Sequence, residues 1–388
     1  MKKVLVLAAL SFFINQGNAM DKDFGKEDFR KNKTIDTFIY NIKKYNETNL
    51  DQKTQEEIEI AVTKLENTSE ALQKNGIKKL ISLCAKLNID KELKEAISIQ
   101  EFLDELPRKR LQNAAKRYFQ QNMEAVDVSF KDKLGGDQLG NRIIVTLKDG
   151  QEITYHAKTH RGGLKSQHSS SSQPVDLKEL LIYKVLDFSG IGAEAHFFYD
   201  DIKNFYIATK DAGYDEFNKT QGVFLTYEKI KEKISHEELL KNSDIINGFI
   251  KADIISRLLL MSDVINNSAN TGLSPNSQFK IIDFNPPLNL EYRNPGIFKD
   301  WLSGNNQYNY SDPTVISILK NKNKEEKIYN SLTIFKELEK FKQFVYNAYD
   351  CVIKNINELE GIAELQKQDL KEYAQSVTEN YDSLNSGF

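Results

Sequence analysis

Hydrophobic positions in the first third of the chain recur with the period of an α-helix. From residue 25 to about residue 124 the apolar residues come at intervals of three and four, as in IDTFIYNIKKY, EEIEIAVTKLEN and IKKLISLCAKL. Gly76 and Pro107 interrupt this pattern, as helix-breaking residues do. The pattern predicts four or five helices in a small bundle, and the lysines and glutamates between the apolar positions predict its solvated face.

The pattern changes near Val126, where shorter segments carry alternating or β-branched apolar residues. The segments VDVSFKD, RIIVTLKDG and EITYHAKTH predict three strands. Asp149-Gly150 lies between the second and the third and predicts a hairpin turn. Next, DLKELLIYKVLDF predicts an amphipathic helix, and AHFFYDD and NFYIATKD predict two more strands.

Helical spacing returns in the second half of the chain, from about Tyr227. The segment IINGFIKADIISRLLLM predicts a strongly apolar helix, KIID predicts a short strand, and a helical tail is expected from about Glu325. No internal repeat is present. The order of strands, helix, strands, helix, loop, strand and helices indicates an α+β protein.

The first twenty residues, MKKVLVLAALSFFINQGNAM, have the three regions of a secretory signal peptide. Two lysines precede an apolar run from Val4 to Ile14, and small residues precede a cleavage site expected after Ala19. A membrane anchor is the alternative, but this run is too short to cross about 30 Å of hydrocarbon. We therefore expect a secreted protein whose mature chain has no integral membrane span.

Composition excludes several other classes of protein. The 388 residues carry a net charge of −3, without a dense basic stripe, which argues against nucleic acid as a partner. Only two cysteines, Cys84 and Cys351, are present, too few for a disulfide scaffold. The five histidines are scattered and no CxxC or HExxH occurs, so a structural zinc site is not expected.

Two features of the strand-rich region suggest phosphate chemistry. The loop KLGGDQLGNR places Gly135, Gly136 and Gly140 between two predicted strands, where backbone amides can approach a phosphate closely. An ordinary tight turn would explain the same glycines. Lys158 lies in the third strand, and a buried lysine is usually paired with an anion. The alternative is a lysine on the solvent side of an edge strand.

Two polar sites follow the apolar helix near residue 260. In LLLMSDVINNSANTGL, Asp263 opens a loop that contains Asn270, and in FKIIDFNPPL, Asp283 ends an apolar strand. Carboxylate and amide oxygens are ligands that Mg²⁺ prefers, and an aspartate can accept a hydroxyl proton. An asparagine-rich turn, or a turn completed by the two prolines, is the alternative for each site.

Taken in order, these elements resemble the protein-kinase-like fold over roughly residues 126 to 300. The resemblance implies a bilobal fold, with an antiparallel sheet in the N-lobe and a mainly helical C-lobe, preceded by the helical bundle. The expected divisions are a signal peptide at 1–19, the bundle at 20–124, the N-lobe at 125–210 and the C-lobe with its helical tail at 211–388.

The resemblance also assigns roles for ATP and Mg²⁺. Gly135, Gly136 and Gly140 would cover the nucleotide, and Lys158 would bind its phosphates and pair with Glu179. The segment from Ala208 to Lys210 would be the hinge at which adenine docks. Asp263 would orient the acceptor hydroxyl, and Asn270 and Asp283 would hold the metal.

The chain also departs from the usual kinase motifs. Met261-Ser262-Asp263 replaces His-Arg-Asp, and Asn285 replaces the glycine of Asp-Phe-Gly. Asp263 precedes Asn270 by seven residues where protein kinases have five, so Asn267 or Ser268 could hold the metal instead. These departures resemble the atypical branches, such as lipid kinases and actin-fragmin-type kinases.

The sequence therefore predicts a Mg²⁺- and ATP-dependent phosphotransferase that acts on a hydroxyl of a protein or a lipid. Because the extracellular space is poor in ATP, a secreted kinase would need an ATP-containing destination, which suggests a bacterial effector acting inside a host cell. A non-catalytic pseudokinase and a helical protein-binding module remain the alternatives.

Overall fold

The computed structural model describes eleven parts of the chain, and they are residues 34–46, 50–67, 70–133, 138–165, 174–215, 217–264, 267–287, 297, 312–320, 338–357 and 362–386. The predicted signal peptide, Gly135 and Gly136 lie outside these residues. The chain divides into two compact units, and the division falls between Pro107 and Arg108.

The first unit is helical. It contains α1 (34–46), α2 (Gln52–Leu65), α3 (Glu70–Lys86) and the beginning of α4 (Asp90–Asn122). Asp51 caps α2 by accepting a hydrogen bond from the Thr54 amide at 3.0 Å. The apolar stripes bury a core that includes Phe38, Ile58, Val62, Leu80 and Leu103. The helices predicted from the 3.6-residue period are therefore present.

A five-stranded antiparallel sheet begins the second unit. Its strands are β1 (Asp127–Asp132), β2 (Gly140–Thr146), β3 (Glu152–Thr159), β4 (Ala195–Tyr199) and β5 (Phe205–Lys210), in the order β1-β2-β3-β5-β4. The predicted turn joins β2 to β3, with Gly150 at φ +83° and its amide bonded to the Leu147 carbonyl oxygen. Glycine adopts this left-handed conformation without steric cost.

Each face of the sheet is covered by a helix. On one side, here the α4 face, Tyr155 and Ala157 of β3 share a buried cluster with Leu111 and Phe119 of α4. The opposite side, the α5 face, packs on helix α5 (Leu177–Phe188), and its buried residues include Phe197, Phe205 and Ile207. Because side chains alternate along a strand, His156 and Lys158 belong to the α5 face.

The remainder of the second unit is mainly helical. Its helices are α6 (Tyr227–Lys233), α7 (His236–Leu239), α8 (Ser243–Leu258), α9 (Pro313–Lys320), α10 (Phe341–Ile356) and α11 (Glu364–Asn385). In the described part of this unit five short strands accompany them: β6 (Tyr214–Asp215), β7 (Thr220–Gln221), β8 (Leu225–Thr226), β9 (Thr271–Leu273) and β10 (Phe279–Ile281). Strands β10, β9 and β8 form a small sheet in that order.

The predicted fold class is confirmed: an antiparallel sheet is followed by a mainly helical region and preceded by helices. The predicted bundle at 20–124 includes all of α4, whereas Leu111–Phe119 contributes to the core of the second unit. No helix in the described parts of the chain is long and apolar enough to cross a membrane.

Candidate functional site

Lys158 and Asp283 form an ion pair although they are 125 positions apart in the sequence. The lysine Nζ lies 3.0 Å from Oδ1 of Asp283. The Lys158 side chain is 20% exposed and that of Asp283 is 53% exposed, so the lysine is the more enclosed partner. The two residues that the sequence assigned to phosphate and metal binding thus meet at one place on the α5 face.

The position of Lys158 is fixed by its neighbours in the sheet. On β3 it is paired in register with Gly140 of β2 and with Ile207 of β5. A Cβ atom at Gly140 would overlap the carbonyl oxygen of Ala157, so glycine allows the two strands to approach here. Of the three loop glycines predicted to cover a phosphate, Gly140 therefore has a packing role in the sheet.

Asp283 is held by backbone hydrogen bonds on both sides. The amide of Ile282 donates to the Asn270 carbonyl oxygen at 2.8 Å, and Asn285 exchanges two backbone bonds with Ser262 at 3.0 and 2.9 Å. The ring of Phe284 packs on Tyr183 of α5, with centroids 4.7 Å apart. The segment that carries Asp283 is thereby fixed between the Ser262–Asn270 loop and α5.

That loop also holds Asp263 and Asn270. Nδ2 of Asn270 donates to the carbonyl oxygen of Asp263 at 2.7 Å. Asn270 is buried, and this bond leaves its Oδ1 as the atom that can ligate a cation. Asp263 has φ +62°, a left-handed conformation that is uncommon for residues other than glycine. Its side chain is exposed, as the side chain of a residue that orients an acceptor hydroxyl would be.

The hydrogen bonds of Asn267, Ser268 and Asn270, the three candidates for the metal-binding residue, differ. Oδ1 of Asn267 accepts from the Ala269 amide at 3.1 Å, and its carbonyl oxygen accepts from the Asn270 amide at 2.9 Å. The Ser268 carbonyl accepts from the Glu228 amide. Asn267 therefore forms the turn, and Asn270 is the residue whose backbone is bonded next to Asp283.

Glu179 lies on α5 but is not the ion-pair partner of Lys158 among the described residues. Its Oε2 accepts a hydrogen bond from the Arg161 amide at 2.9 Å, just beyond the end of β3. The side chain is buried, and burial raises its pKa to about 7, against the opposing effects of the Arg161 amide and of Lys158. The predicted Lys158–Glu179 pair is thus replaced by Lys158–Asp283, because Glu179 is engaged by the backbone.

The surroundings of Lys158 favour its charged form. Burial alone would lower the pKa of the lysine, but Tyr183, Asp283 and Glu179 together raise it above its ordinary value. The amine also lies 5.7 Å from the centroid of the Tyr183 ring. A permanently charged, fixed amine with limited access to water is suited to binding an anionic group such as a phosphate.

A cavity of about 220 Å³ adjoins this ion pair. It is shared by the sheet, α5 and the residues before Asp283, and its lining comprises His156, Tyr183, Leu186, Ala193, Thr209, Lys210, Asp211, Ala212, Phe224, Ile281 and Ile282. Tyr183 also contacts the Lys158 amine, and Ile282 directly precedes Asp283. The cavity and the charged pair are therefore neighbours, linked through Tyr183 and Ile282.

The predicted hinge borders the cavity only in part, because Thr209 and Lys210 line it and Ala208 does not. Ala208 is buried on the α4 face and does not line the cavity, because it alternates with Thr209 along β5. Lys210 is a lining residue, but its amine pairs with Glu194 at 3.4 Å and lies 4.4 Å from the Tyr214 ring centroid. At this end of β5 the cavity wall is therefore formed by Thr209 and the three residues that follow it.

One backbone amide of this wall has no partner in the described chain. The amides of Lys210, Asp211, Gly213 and Tyr214 donate to Glu194 O, Thr154 O, Asp211 Oδ1 and Asp211 O, at 2.7 to 2.9 Å. Among residues 210–214, only the Ala212 amide has no hydrogen bond to another described group. Because Ala212 lines the cavity, its amide is the candidate donor for a ligand there.

Three titratable lining residues were absent from the sequence prediction: His156, Tyr183 and Asp211. Alternation along β3 could have found His156, which lies two residues before Lys158 and so on the same face. The helical period could have found Tyr183, four residues after Glu179. Asp211 lies in a loop, and no periodicity indicates the direction of a loop side chain.

No group of three or more histidine, cysteine, aspartate or glutamate side chains in the described residues could hold a metal ion. The geometry instead offers the carboxylate of Asp283 and the amide oxygen of Asn270. Mg²⁺ is commonly bound by one or two protein oxygens, with the rest supplied by substrate phosphates and water. Asp283 and Asn270 carry oxygens of this type, and the bond from the Ile282 amide to the Asn270 carbonyl oxygen brings their backbones together.

Comparisons with known proteins add little to this geometry. The chain matches no family model, and no curated protein is similar to it in sequence. Among solved structures, it is similar to the Helicobacter pylori proinflammatory kinase CtkA at 13% identity, covering 67% of this chain and 95% of that one, with a TM-score of 0.41. It is also similar to the MAP kinase LmaMPK10 from Leishmania major at 12% identity, covering 69% and 84%, with a TM-score of 0.27. Scores of this size carry no argument about activity.

Proposed function

We propose that the chain is a kinase-like phosphotransferase that uses Mg²⁺ and ATP to phosphorylate a hydroxyl group. The observation that carries the proposal is the Lys158–Asp283 pair at 3.0 Å, next to Asn270 and to an apolar cavity. A charged lysine, two metal-binding oxygens and a pocket for a base are the parts that phosphoryl transfer requires at one place.

The base of the nucleotide would occupy the cavity. Its apolar lining, including Leu186, Phe224 and Ile281, suits a flat ring, and a few polar groups would fix the orientation of that ring. The Ala212 amide is the donor that the wall offers to a ring nitrogen. In this proposal Ala212 takes the role that the sequence assigned to Ala208 and Lys210.

The phosphates and the metal would occupy the charged end of the site. Lys158 would neutralise phosphate oxygens, and Asp283 with Oδ1 of Asn270 would hold Mg²⁺, which supplies further charge neutralisation when bound. Asp263 would accept a hydrogen bond from the acceptor hydroxyl and orient it, since its side chain is exposed beside this end. The acceptor would be a hydroxyl of a protein or a lipid.

We also propose that the protein is exported by its N-terminal signal and acts in an ATP-containing compartment such as a host cell. This proposal rests on the sequence of the first nineteen residues. Cell fractionation and detection of the protein in infected host cells would test it. Retention of the mature chain in the bacterial periplasm would contradict it, because ATP is scarce there.

A pseudokinase is the second candidate, and one observation favours it. Lys158 is paired with Asp283 instead of Glu179, so the residue proposed to hold the metal is engaged by the residue proposed to hold the phosphates. Asn285 also occupies the place of a motif glycine. On this alternative the chain would bind the nucleotide without transferring its phosphoryl group.

Thermal unfolding with and without Mg-ATP tests the proposal. A ligand present at a hundred times its Kd stabilises the native state by about 2.7 kcal/mol, and we expect this stabilisation for the wild type and its loss in Lys158→Ala and Asp283→Ala. Lys342→Ala is the matched control, because Lys342 forms an exposed ion pair with Asp382 on α10 and α11. No stabilisation of the wild type would contradict nucleotide binding.

A transfer assay then separates the enzyme from the pseudokinase. Incubation with γ-labelled ATP, protein extracts and lipid vesicles should give labelled product with the wild type but not with Asp263→Asn. Stabilisation by Mg-ATP without label in any acceptor, and without release of phosphate, would favour the pseudokinase.

A further inference from the structure

His156 occupies a position on the α5 face that the proposed chemistry does not yet use. It lies on β3 two residues before Lys158, and its register partner on β5 is Thr209. Both His156 and Thr209 line the cavity. A titratable aromatic ring therefore forms part of the sheet side of the space in which a nucleotide base would lie.

The imidazole is held in place by Asp211. Nε2 of His156 lies 2.7 Å from Oδ2 of Asp211. The other carboxylate oxygen accepts from the Gly213 amide at 2.7 Å, and the Asp211 amide donates to the Thr154 carbonyl oxygen at 2.8 Å. Asp211 is thus anchored to β3 and to its own turn, and through Nε2 it restricts rotation of the histidine ring.

A ring fixed at its edge leaves its faces available. Asp211 engages Nε2, at the edge of the ring, and so does not cover the faces of the imidazole, and His156 lines the cavity. In the protein-kinase motif V-A-I-K, the residue two before the lysine is alanine, which has no ring to offer. Phe224 and Ile281, which lie outside the five-stranded sheet, line the same cavity, so a flat ligand would meet apolar side chains as well as the His156 ring.

We propose that His156 is a base-stacking residue of this site, with Asp211 as the positioning residue that holds its ring. The ligand class is a nucleotide or nucleoside with a planar heteroaromatic base. This inference rests on the proposed nucleotide binding and deepens it. Stacking of a base on an aromatic side chain is tolerant of base identity, so the contact favours aromatic bases in general, and the hydrogen bond of the Ala212 amide selects among them.

Titration calorimetry with two ligands tests the role of His156. Adenosine carries the base without phosphates, and Mg-ATP carries both. We expect His156→Ala to raise the Kd of both ligands by a similar factor, about tenfold, which is the size of effect that loss of base stacking produces. Lys158→Ala should weaken Mg-ATP strongly and leave adenosine almost unchanged, because it acts on the phosphates.

Three further variants sharpen the result. His156→Phe keeps a flat ring and should restore most of the lost affinity for adenosine. Asp211→Asn should weaken adenosine binding only when His156 is present, so the double variant should bind no more weakly than His156→Ala. Lys342→Ala is again the control, because Lys342 forms an exposed ion pair with Asp382 and does not line the cavity.

The titrations distinguish failure of the stacking role of His156 from failure of the proposed nucleotide binding. If the wild type binds both ligands and His156→Ala binds them equally well or more tightly, the stacking role is wrong while nucleotide binding stands. If His156→Ala weakens Mg-ATP but not adenosine, the histidine acts on the phosphates and the stacking role is again wrong. If the wild type binds neither ligand, the proposed function itself fails.

Discussion

The two faces of the five-stranded sheet are built from the same strands but have different chemistry. On the α4 face, β3 presents Tyr155 and Ala157, which are buried in an aromatic cluster with Phe119 of α4. On the α5 face, the alternate residues of the same strand are His156 and Lys158, which contact carboxylates and a cavity. One strand therefore places buried apolar side chains on one face and the side chains of the proposed nucleotide site on the other.

This difference explains how the α5 face can contain the charged and titratable side chains of Lys158 and Glu179. A buried charge is costly unless it is paired, and β3 contributes no charged residue to the buried cluster of the α4 face, only Ile153, Tyr155 and Ala157. The α5 face can then keep a charged lysine, a buried glutamate and an open cavity. Changes on the two faces should accordingly affect different measurements.

The largest effect on stability is expected on the α4 face. Phe119→Ala removes a fully buried ring whose centroid lies 4.7 Å from that of Tyr155. Truncation of a buried phenylalanine typically costs about 3–5 kcal/mol. Urea denaturation should report this loss, while the Kd for Mg-ATP of the protein that remains folded should be unchanged. A loss below about 1 kcal/mol would mean that α4 does not stabilise the sheet.

A pH-dependent effect of up to about 3 kcal/mol is expected from Glu179 on the α5 face. Its folded-state pKa, raised by burial to about 7, exceeds the unfolded value, so folding favours the protonated acid. That stability is fully present below about pH 4.5 and is lost as the pH rises through about 7. Glu179→Gln, which mimics the protonated acid, should therefore exceed the wild type in stability most at pH 8.

Denaturation of both proteins between pH 5 and pH 8 checks this sign. The wild type should lose stability relative to Glu179→Gln as the pH rises, and the two curves should approach each other near pH 5. Parallel curves across this range would show that Glu179 is ionised in the folded state. In that case its burial would be compensated by a partner stronger than the Arg161 amide.

A smaller effect on stability is expected from Lys158, although its effect on binding should be large. Lys158→Met keeps the apolar stem and removes a pair whose acidic partner is half exposed. Pairs open to solvent contribute about 0–1 kcal/mol, so the free energy of unfolding should change by less than about 1 kcal/mol. Urea denaturation measures the stability. A change above about 3 kcal/mol would mean that Lys158 stabilises the fold as much as a buried residue of the α4 face does.

A further small effect separates the two asparagines near Asp283. Asn270→Ala removes the hydrogen bond to the Asp263 carbonyl, at a cost of about 1 kcal/mol, and should reduce the gain in ATP affinity that Mg²⁺ provides. Asn267→Ala removes a turn contact at an exposed position and should leave that gain intact. Titration of ATP with and without Mg²⁺ compares them, and the reverse ranking would assign the metal to Asn267.

Much of this site could be predicted from the sequence because its signals are local. Alternation in EITYHAKTH identifies the strand of Lys158, and the apolar run before Asp283 identifies the other side of the pair. The order of these elements along the chain then suggested that Lys158 and Asp283 belong together. Their 3.0 Å contact agrees with that suggestion.

Other features depend on tertiary contacts that no sequence period encodes. The carboxylate of Glu179 accepts a hydrogen bond from the Arg161 amide. The sequence alone does not indicate whether Glu179 binds this backbone amide or the Lys158 amine. Ala208 was assigned to the hinge by its position along the chain, but its side of the strand depends on the register between β3 and β5. The second half of α4 has helical spacing throughout, so its packing on the sheet could not be told from packing in a bundle.

The central claim is that Lys158 and Asp283 form the phosphate and metal end of a nucleotide site. Calorimetric titration of ATP into the wild type and Asp283→Asn, each with and without Mg²⁺, tests it most directly. We expect the wild type to bind ATP more tightly when Mg²⁺ is present, and Asp283→Asn to lose this difference. Absence of ATP binding by the wild type, or an undiminished effect of Mg²⁺ in Asp283→Asn, would contradict the claim.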